Sequence, residues 1–319
     1  MDINSIELSN ILAGVSSIAI GGHINPDGDC VGAGMGLYLY LKEQFPQIQT
    51  DIYLEQIPKA FQIIQGTEII QHQIPTGQQY DLFISLDCGD ESRLGFAIPL
   101  FQQAKKTFCI DHHVSNQGFA DQNYIVTTAS STSELVYRLL DDRKIDLPIA
   151  TALYMGIVHD TGVFRYACTS PETMEIAANL LRKGVNGSEV IEQTYFGKTY
   201  AQNRILGKAL LDSMLILDNR CILSTLSQSD LTLLEVDIQD LDGIVNLLNS
   251  TKEVDVAVFI YELEPQKYKV SLRSSEKVDV SAVAQYFGGG GHARAAGITM
   301  YGSSHDVINK ISKQLLQQL

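Results

Sequence analysis

Short apolar runs alternate with longer amphipathic stretches through the first half of the chain. Ser17–Gly21, Thr50–Leu54, Tyr80–Leu86 and Lys106–Ile110 have the length and residue types of strands. Between and after them, Val31–Glu43 reads as a helix broken near Pro46. Ser131-Thr132-Ser133-Glu134 matches a capping box with Ser131 as N-cap and Glu134 at N3, starting a helix that runs to about Arg143. Pro148–Val158 reads as an apolar helix that delivers Asp160 at its end. Strands alternating with helices predict a mostly parallel sheet covered by helices.

The second half has a different pattern. Ser170–Lys183 is helical with a stop at Gly184, and a more polar helical pattern follows to about Leu206. Strand-like runs then occur at Leu210–Leu217, Arg220–Ser224, Asp255–Glu262 and Tyr268–Arg273. Helical patterns occur at Ile238–Leu248, Val280–Phe287 and His305–Leu316. The expected organisation is an α/β domain over 1–187, a linker over 188–206, and a smaller α/β domain over 207–319.

Composition narrows the function. The 319 residues are enough for two well-filled domains. No apolar run approaches the ~20 residues of a membrane helix. Met1-Asp2-Ile3-Asn4 carries no basic segment of a secretory signal. The five cysteines form no CxxC pair, so a disulfide framework is not expected and the cytoplasm is the default location. A net charge of −14 argues against coating long nucleic acid. It leaves room for a short anionic substrate held by metals and a local basic pocket.

The candidate chemistry sits directly after the apolar runs. His23-Ile24-Asn25-Pro26-Asp27-Gly28-Asp29 lies between a strand and a helix, and one loop of this spacing presents three ligands in different directions. Asp27 and Asp29 fit helix capping equally well. Asp87 ends the Tyr80–Leu86 run, with Asp90 as a cap or supporting group. Asp111-His112-His113 follows Lys106–Ile110. Adjacent side chains diverge, so one histidine can ligate a metal while the other faces substrate, and Asp111 can orient an imidazole. Asp160 is followed by Gly162, which permits a sharp turn. His159 is left out, because a lone histidine is more often packing. Loops at the carboxyl ends of parallel strands converge on one crevice, and this many carboxylates and imidazoles exceeds the needs of one ion.

At the far end, Gly288–Gly291 and His292 suggest a nest of backbone N–H groups for an anion, and Arg273-Ser274 ends a strand with a guanidinium suited to phosphate. Gly32, Gly34 and Gly36 lack the spacing of a dinucleotide fingerprint and are expected to allow close helix–sheet packing. No P-loop and no GxSxG elbow occurs.

These motifs, in this order, resemble the DHH superfamily of phosphoesterases: His-x-x-Pro-Asp-Gly-Asp, a strand-end Asp, Asp-His-His, Asp-Thr-Gly-x-Phe-Arg, then Gly-Gly-Gly-Gly-His. Ser271–Ser274 and Gly288–His292 resemble the DHHA1 type of second domain. Within the superfamily, the length and C-terminal type are most similar to the nano-RNase A (NrnA) group. A RecJ-type exonuclease would need a further OB-type domain. A family II pyrophosphatase would carry a lysine-rich DHHA2 domain.

The resemblance implies an N-terminal DHH domain and a DHHA1 domain across a cleft. It implies a phosphoesterase acting on very short RNA and on adenosine 3′,5′-bisphosphate (pAp). The rival readings are a cyclic- or linear-dinucleotide phosphodiesterase and a nucleotide sensor without catalysis. By the same resemblance, His23, Asp27 and Asp87 hold one metal, and Asp29, Asp87, His112 and Asp160 hold the other. Two Mn²⁺ are implied, with Mg²⁺ or Co²⁺ as substitutes. Asp87 and His113 are the implied catalytic residues, His113 as general acid. Arg273, Ser274, Gly289, Gly290, Gly291, His292 and Arg165 are the implied substrate contacts. A homodimer is compatible with the reading, and no membrane is expected.

Overall fold

The computed structural model describes residues 7–275 and 277–319. The first four residues, read above for a leader, lie outside them. The chain divides between Gly197 and Lys198 into two compact units.

The first unit is built on a five-stranded parallel sheet of order β2-β1-β3-β4-β5. Its strands are β1 (Ser17–Gly21), β2 (Gln49–Tyr53), β3 (Leu82–Leu86), β4 (Lys106–Asp111) and β5 (Gln122–Ile125). All five residues of β3 are buried, as expected for a parallel strand covered on both faces. β5 escaped the sequence reading because its Gln122 and Asn123 hide the strand pattern. In this strand order the direction of winding reverses between β1 and β3, and ligands bind outside the carboxyl ends of such a switch point.

Three helices shape that crevice: Gly28–Gln44, Thr132–Leu139 and Leu147–Asp160. The first starts three residues before the expected Val31. The Asp27 side chain accepts from the backbone N–H of Asp29 and of Cys30, both at 3.1 Å, and so fixes the start at Gly28. Its glycines mostly serve helix–helix rather than helix–sheet packing. A Cβ on Gly32 would stand 2.5 Å from the Ala152 carbonyl, and one on Gly36 would stand 2.5 Å from Leu153 Cδ2. Gly34 alone makes the expected sheet contact, toward Ile52.

Ser131 caps its helix by accepting from Glu134 N at 3.0 Å. Glu134 does not complete the box. Its buried carboxylate accepts from the hydroxyls of Ser130 at 2.5 Å and Thr173 at 2.6 Å. The helix stops at Leu139, short of Arg143, because Asp141 caps a separate turn by accepting from Arg143 N.

The second unit carries a six-stranded sheet of order β10-β11-β9-β8-β7-β6. Its strands are β6 (Met214–Ile216), β7 (Cys221–Leu226), β8 (Val256–Glu264), β9 (Lys267–Ser274), β10 (Gly290–His292) and β11 (Ala295–Tyr301). Only β7 and β8 run parallel. Val258, Leu272 and Ile311 bury one face of the sheet, and Ile222, Phe259 and Leu248 the other.

Two expected elements change here. Most of Leu210–Leu217 is not strand. A helix begun by a reciprocal Thr199–Gln202 box runs from Tyr200 to Leu211, leaving β6 only three residues. Ile238–Leu248 is broken by Gly243 at φ 80 into a short turn and the helix Ile244–Asn249. The helix Gln228–Leu234, with its own Ser227–Asp230 box, was not anticipated. Among the described residues no helix is long and apolar enough to cross a membrane.

Candidate metal centre

At the carboxyl ends of β1, β3 and β4, short loops turn inward and bring charged side chains together. The His23 Nδ1 donates to the Ile24 carbonyl at 2.8 Å. A carbonyl can only accept, so this bond fixes the tautomer and aims Nε2 at the carboxylates. That nitrogen stands 3.5 Å from Asp27 Oδ1 and 3.4 Å from Asp87 Oδ2. Asp87 is buried just past the end of β3, with a left-handed φ of 58. Its Oδ1 stands 3.6 Å from His112 Nε2 and accepts from the Thr132 hydroxyl at 3.1 Å. His112 Nε2 also lies 2.9 Å from Asp160 Oδ2.

Asp29 is fully buried in the first turn of its helix. Its two oxygens accept from Thr132 N at 2.6 Å and Ser133 N at 2.9 Å. Those are free N–H groups at the start of the Thr132–Leu139 helix, where a carboxylate is favoured by both hydrogen bonding and the helix dipole. His113 Nδ1 hydrogen-bonds Asp111 Oδ1 at 2.7 Å. The other Asp111 oxygen accepts from Asn116 Nδ2, also at 2.7 Å, and that amide reaches the Cys88 carbonyl at 2.9 Å. The imidazole of His113 is thus oriented from behind. Asp90 caps Ser92 N at 2.9 Å, apart from this cluster.

The electrostatics show what the cluster lacks. Burial alone would drive protons off His23 and His112. The hydrogen bonds and charges of Asp27 and Asp87 instead raise His23 to about 10. Those of Asp160 and Asp87 raise His112 to about 12. Asp87 is held well below the usual carboxylate range, because the two imidazoles outweigh its burial. Burial, then Asp87 and Asp160, push Asp29 well up. Burial lifts Asp160 to about 6 against its bond to His112. Carboxylates are in excess, and the imidazoles take up protons to balance them.

A divalent cation would resolve that imbalance, and the distances suit one. Separations of 3.4–3.6 Å of His23 from Asp27 and Asp87 and of His112 from Asp87 exceed the ~2.7–2.9 Å of charge-assisted hydrogen bonds. Donors sharing one ion at about 2.1 Å stand about 3–3.5 Å apart. His23, Asp27 and Asp87 form one such group of converging ligand atoms, and Asp29, His112 and Asp160 form another. Asp87 also groups with His112 and His113, but His113 Nδ1 is engaged by Asp111.

The remaining candidates belong to neither ligand group or lie in the second unit. Arg165 is exposed, with its backbone N–H bonded to the Thr161 carbonyl at 2.9 Å. Arg273 donates to Asn246 Oδ1 at 2.8 Å and to the Leu272 carbonyl at 3.0 Å. Ser274 turns inward, its hydroxyl donating to the Val278 carbonyl at 2.6 Å. Arg294 likewise donates to the carbonyls of Ser275 and Val278.

The glycine run is not the expected nest. Gly288 N and Gly289 N donate to the carbonyls of Gln285 and Ala284, at 3.0 and 2.8 Å, and so close the end of the Val280–Tyr286 helix. Gly290, Gly291 and His292 then form edge strand β10, paired antiparallel with Gly297, Ala296 and Ala295. Gly290 and His292 are exposed there.

Sequence reading missed Thr132, Ser133 and Asn116, which hold Asp29, Asp87 and Asp111. The capping box already placed a helix start at Ser131, and free N–H groups at a helix start are the signal that could have suggested an anionic partner. His159, left out of the ligands above, is partly buried, bonded to the Thr194 hydroxyl at 3.0 Å, and lowered by burial to about 4.

Comparison with known proteins agrees across both units. The model of the DHH family, N-terminal domain, matches residues 17–157, and that of the DHHA1 domain matches residues 231–319. A Thermus thermophilus protein named bifunctional oligoribonuclease and PAP phosphatase NrnA is 30% identical, over 91% of this chain and 86% of its own. A Bacillus subtilis protein of the same name is 25% identical, over 97% and 96%. The crystal structure of an exopolyphosphatase-related protein from Bacteroides fragilis superposes with a TM-score of 0.88 at 25% identity, covering 97% of this chain and 94% of that one.

Proposed function

The chain belongs to the DHH family of phosphoesterases and carries a DHHA1 domain, and from that premise we propose that it hydrolyses short RNA oligonucleotides to mononucleotides and removes the 3′-phosphate of pAp, using two divalent metal ions. The observation that carries the reading is that the buried carboxylate of Asp87 belongs to one ligand group and stands 3.6 Å from His112 of the other. The named activities of the relatives supply the substrate class.

His23, Asp27 and Asp87 would hold one ion, and Asp29, His112, Asp160 and Asp87 the other. The mixed imidazole and carboxylate set suits Mn²⁺, and the same donors accept Mg²⁺ or Co²⁺. When bound, such ions supply water activation and charge neutralisation at a phosphoryl group.

The chain's own residues do the rest. Thr132 and Ser133 fix the two carboxylates that neither solvent nor side-chain rotation should disturb. The bond from Asp111, with lesser help from the charge of Asp87, raises the pKa of His113 against its burial. A protonated His113 can deliver its Nε2 proton to the leaving oxygen. Arg273, His292 and the exposed strand edge at Gly290 and Gly291 are proposed as phosphate contacts; the Gly289 N–H is already bonded to the Ala284 carbonyl. Ser274 supports them by holding the end of β9 against Val278.

Chromatography of products from a synthetic RNA trimer tests the proposal. Mononucleotides should form with Mn²⁺ and should not form with EDTA in its place. An intact trimer in Mn²⁺ overturns the RNA activity. Cleavage of cyclic or linear dinucleotides alone would move the assignment to a dedicated phosphodiesterase.

A further inference from the structure

The turn that follows Asp160 is strained. Gly162, Val163 and Phe164 take left-handed φ values of 55, 59 and 61 in succession. For a β-branched and a bulky residue this is an outlier that the surroundings must enforce. Thr161 enforces it from a buried position. Its hydroxyl donates to the Ile157 carbonyl at 2.6 Å and accepts from Phe164 N at 3.0 Å. Its carbonyl accepts from Arg165 N and Tyr166 N, both at 2.9 Å. The chain therefore doubles back, and Arg165 and Tyr166 return to Thr161, the residue next to the metal-ligand candidate Asp160. The Tyr166 ring lies over the bend itself: a Cβ on Gly162 would stand 2.4 Å from its Cζ.

A second unusual element completes the surface. Glu192–Phe196 is a π-helical turn, a geometry frequent at functional sites. It places the Tyr195 ring edge-on to His159 at 5.4 Å and to Phe196 at 5.1 Å. The Tyr195 hydroxyl lies against Tyr166, and the charge of Arg165 is felt there. Tyr166 is 50% and Phe196 48% exposed. Core packing does not call for half-exposed rings gathered around the residue next to Asp160. A flat π-surface bordered by a guanidinium matches a flat, π-bearing, anionic ligand.

We propose that Tyr166, backed by Tyr195 and Phe196 and bordered by Arg165, is a stacking platform for a nucleobase of the substrate. The proposal rests on the reading of the chain as a phosphoesterase of short nucleotides. Every base has a π-face, so the platform gives sequence-tolerant recognition.

The test separates stacking from turnover. The full-length protein with Mg²⁺ is titrated with 2-aminopurine riboside 5′-monophosphate, whose fluorescence is quenched by stacking. The chain has no tryptophan to obscure the signal. Wild type and Tyr166→Phe should quench, and Tyr166→Ala should bind about tenfold more weakly. In turnover of a dinucleotide with Mn²⁺, Tyr166→Ala should raise KM about tenfold at constant kcat. It should leave KM unchanged for the same dinucleotide with an abasic residue. If Tyr166→Ala fails to fold, Phe196→Ala carries the same expectation. No quenching by wild type at millimolar probe, or equal KM effects on the abasic and complete substrates, overturns the platform. Quenching by a wild type that cleaves no oligonucleotide overturns the activity and leaves the platform standing.

Discussion

The carboxylate cluster of the first unit and the glycine hairpin of the second were both read from sequence as ligand sites, and they are built in opposite ways. Asp29, Asp87 and Asp111 are buried, and each is held by hydrogen bonds from neighbouring elements. A buried charge that is not paired is costly, so its geometry is enforced by the whole fold. Gly290 and His292 instead stand exposed on an edge strand, positioned by backbone pairing with β11. The first arrangement suits an ion that needs fixed donors, and the second suits a flexible anion that needs an open approach.

Asp87→Asn should produce the largest effect, because it removes the charge that one ligand group contains and that stands 3.6 Å from His112 of the other. Loss of ~4 kcal/mol of charge stabilisation corresponds to about a thousandfold in kcat. Steady-state turnover of an RNA trimer with Mn²⁺ reads this directly. His292→Ala, on the hairpin, should act mainly on KM and by much less. A larger loss from His292→Ala than from Asp87→Asn would invert the comparison and remove the metal assignment.

The cluster should also announce its ion by releasing protons. His23 and His112 are raised to about 10 and about 12 in the metal-free protein, so both are protonated at neutral pH. A metal needs them neutral, and binding should therefore release at least two protons per chain near pH 7. Calorimetry of Mn²⁺ binding in buffers of different ionisation enthalpy measures that number, and affinity should rise with pH. The sign for the metal-free fold is the reverse. Both folded pKa values are raised above 6.5, so the stability they add is fully present below that value. It is lost as pH rises through about 10 and then about 12. Binding without proton release would show that the ion sits elsewhere.

The difference in construction also explains what could be read from sequence. Asp87, Asp111 and Asp160 each follow an apolar run, and a buried parallel strand or its helix leaves a short loop little choice of where to go. Strand β3 and helix Leu147–Asp160 were accordingly placed to within two residues at each end. Thr132 and Ser133 were not legible as site residues, because their contribution is made by backbone N–H groups and one hydroxyl toward Asp29 and Asp87, more than forty residues distant in sequence. Glycines carry no side chain to announce a face, so Gly288–Gly291 fitted a nest as well as a strand. Only the pairing partner, Ala295–Gly297, decides between them, and the sequence pattern assigned no strand there.

The smallest expected effects lie within that hairpin, and they discriminate between a strand and a nest. Gly291 has φ 144, and a Cβ there would stand 2.4 Å from the Ala295 carbonyl and 2.5 Å from Ala296 Cα. Gly291→Ala must therefore push β10 off β11, at a cost of about 1–3 kcal/mol. Gly290, one residue earlier, has nothing within 4 Å of the same position, so Gly290→Ala should change stability by no more than about 0.5 kcal/mol. Thermal unfolding of the two variants measures the contrast. Equal destabilisation would mean that neither glycine is paired as an edge strand. A neutral Gly290→Ala that nonetheless raised KM for a short RNA would place the substrate's phosphate against that open face of β10, where no protein atom competes for the space.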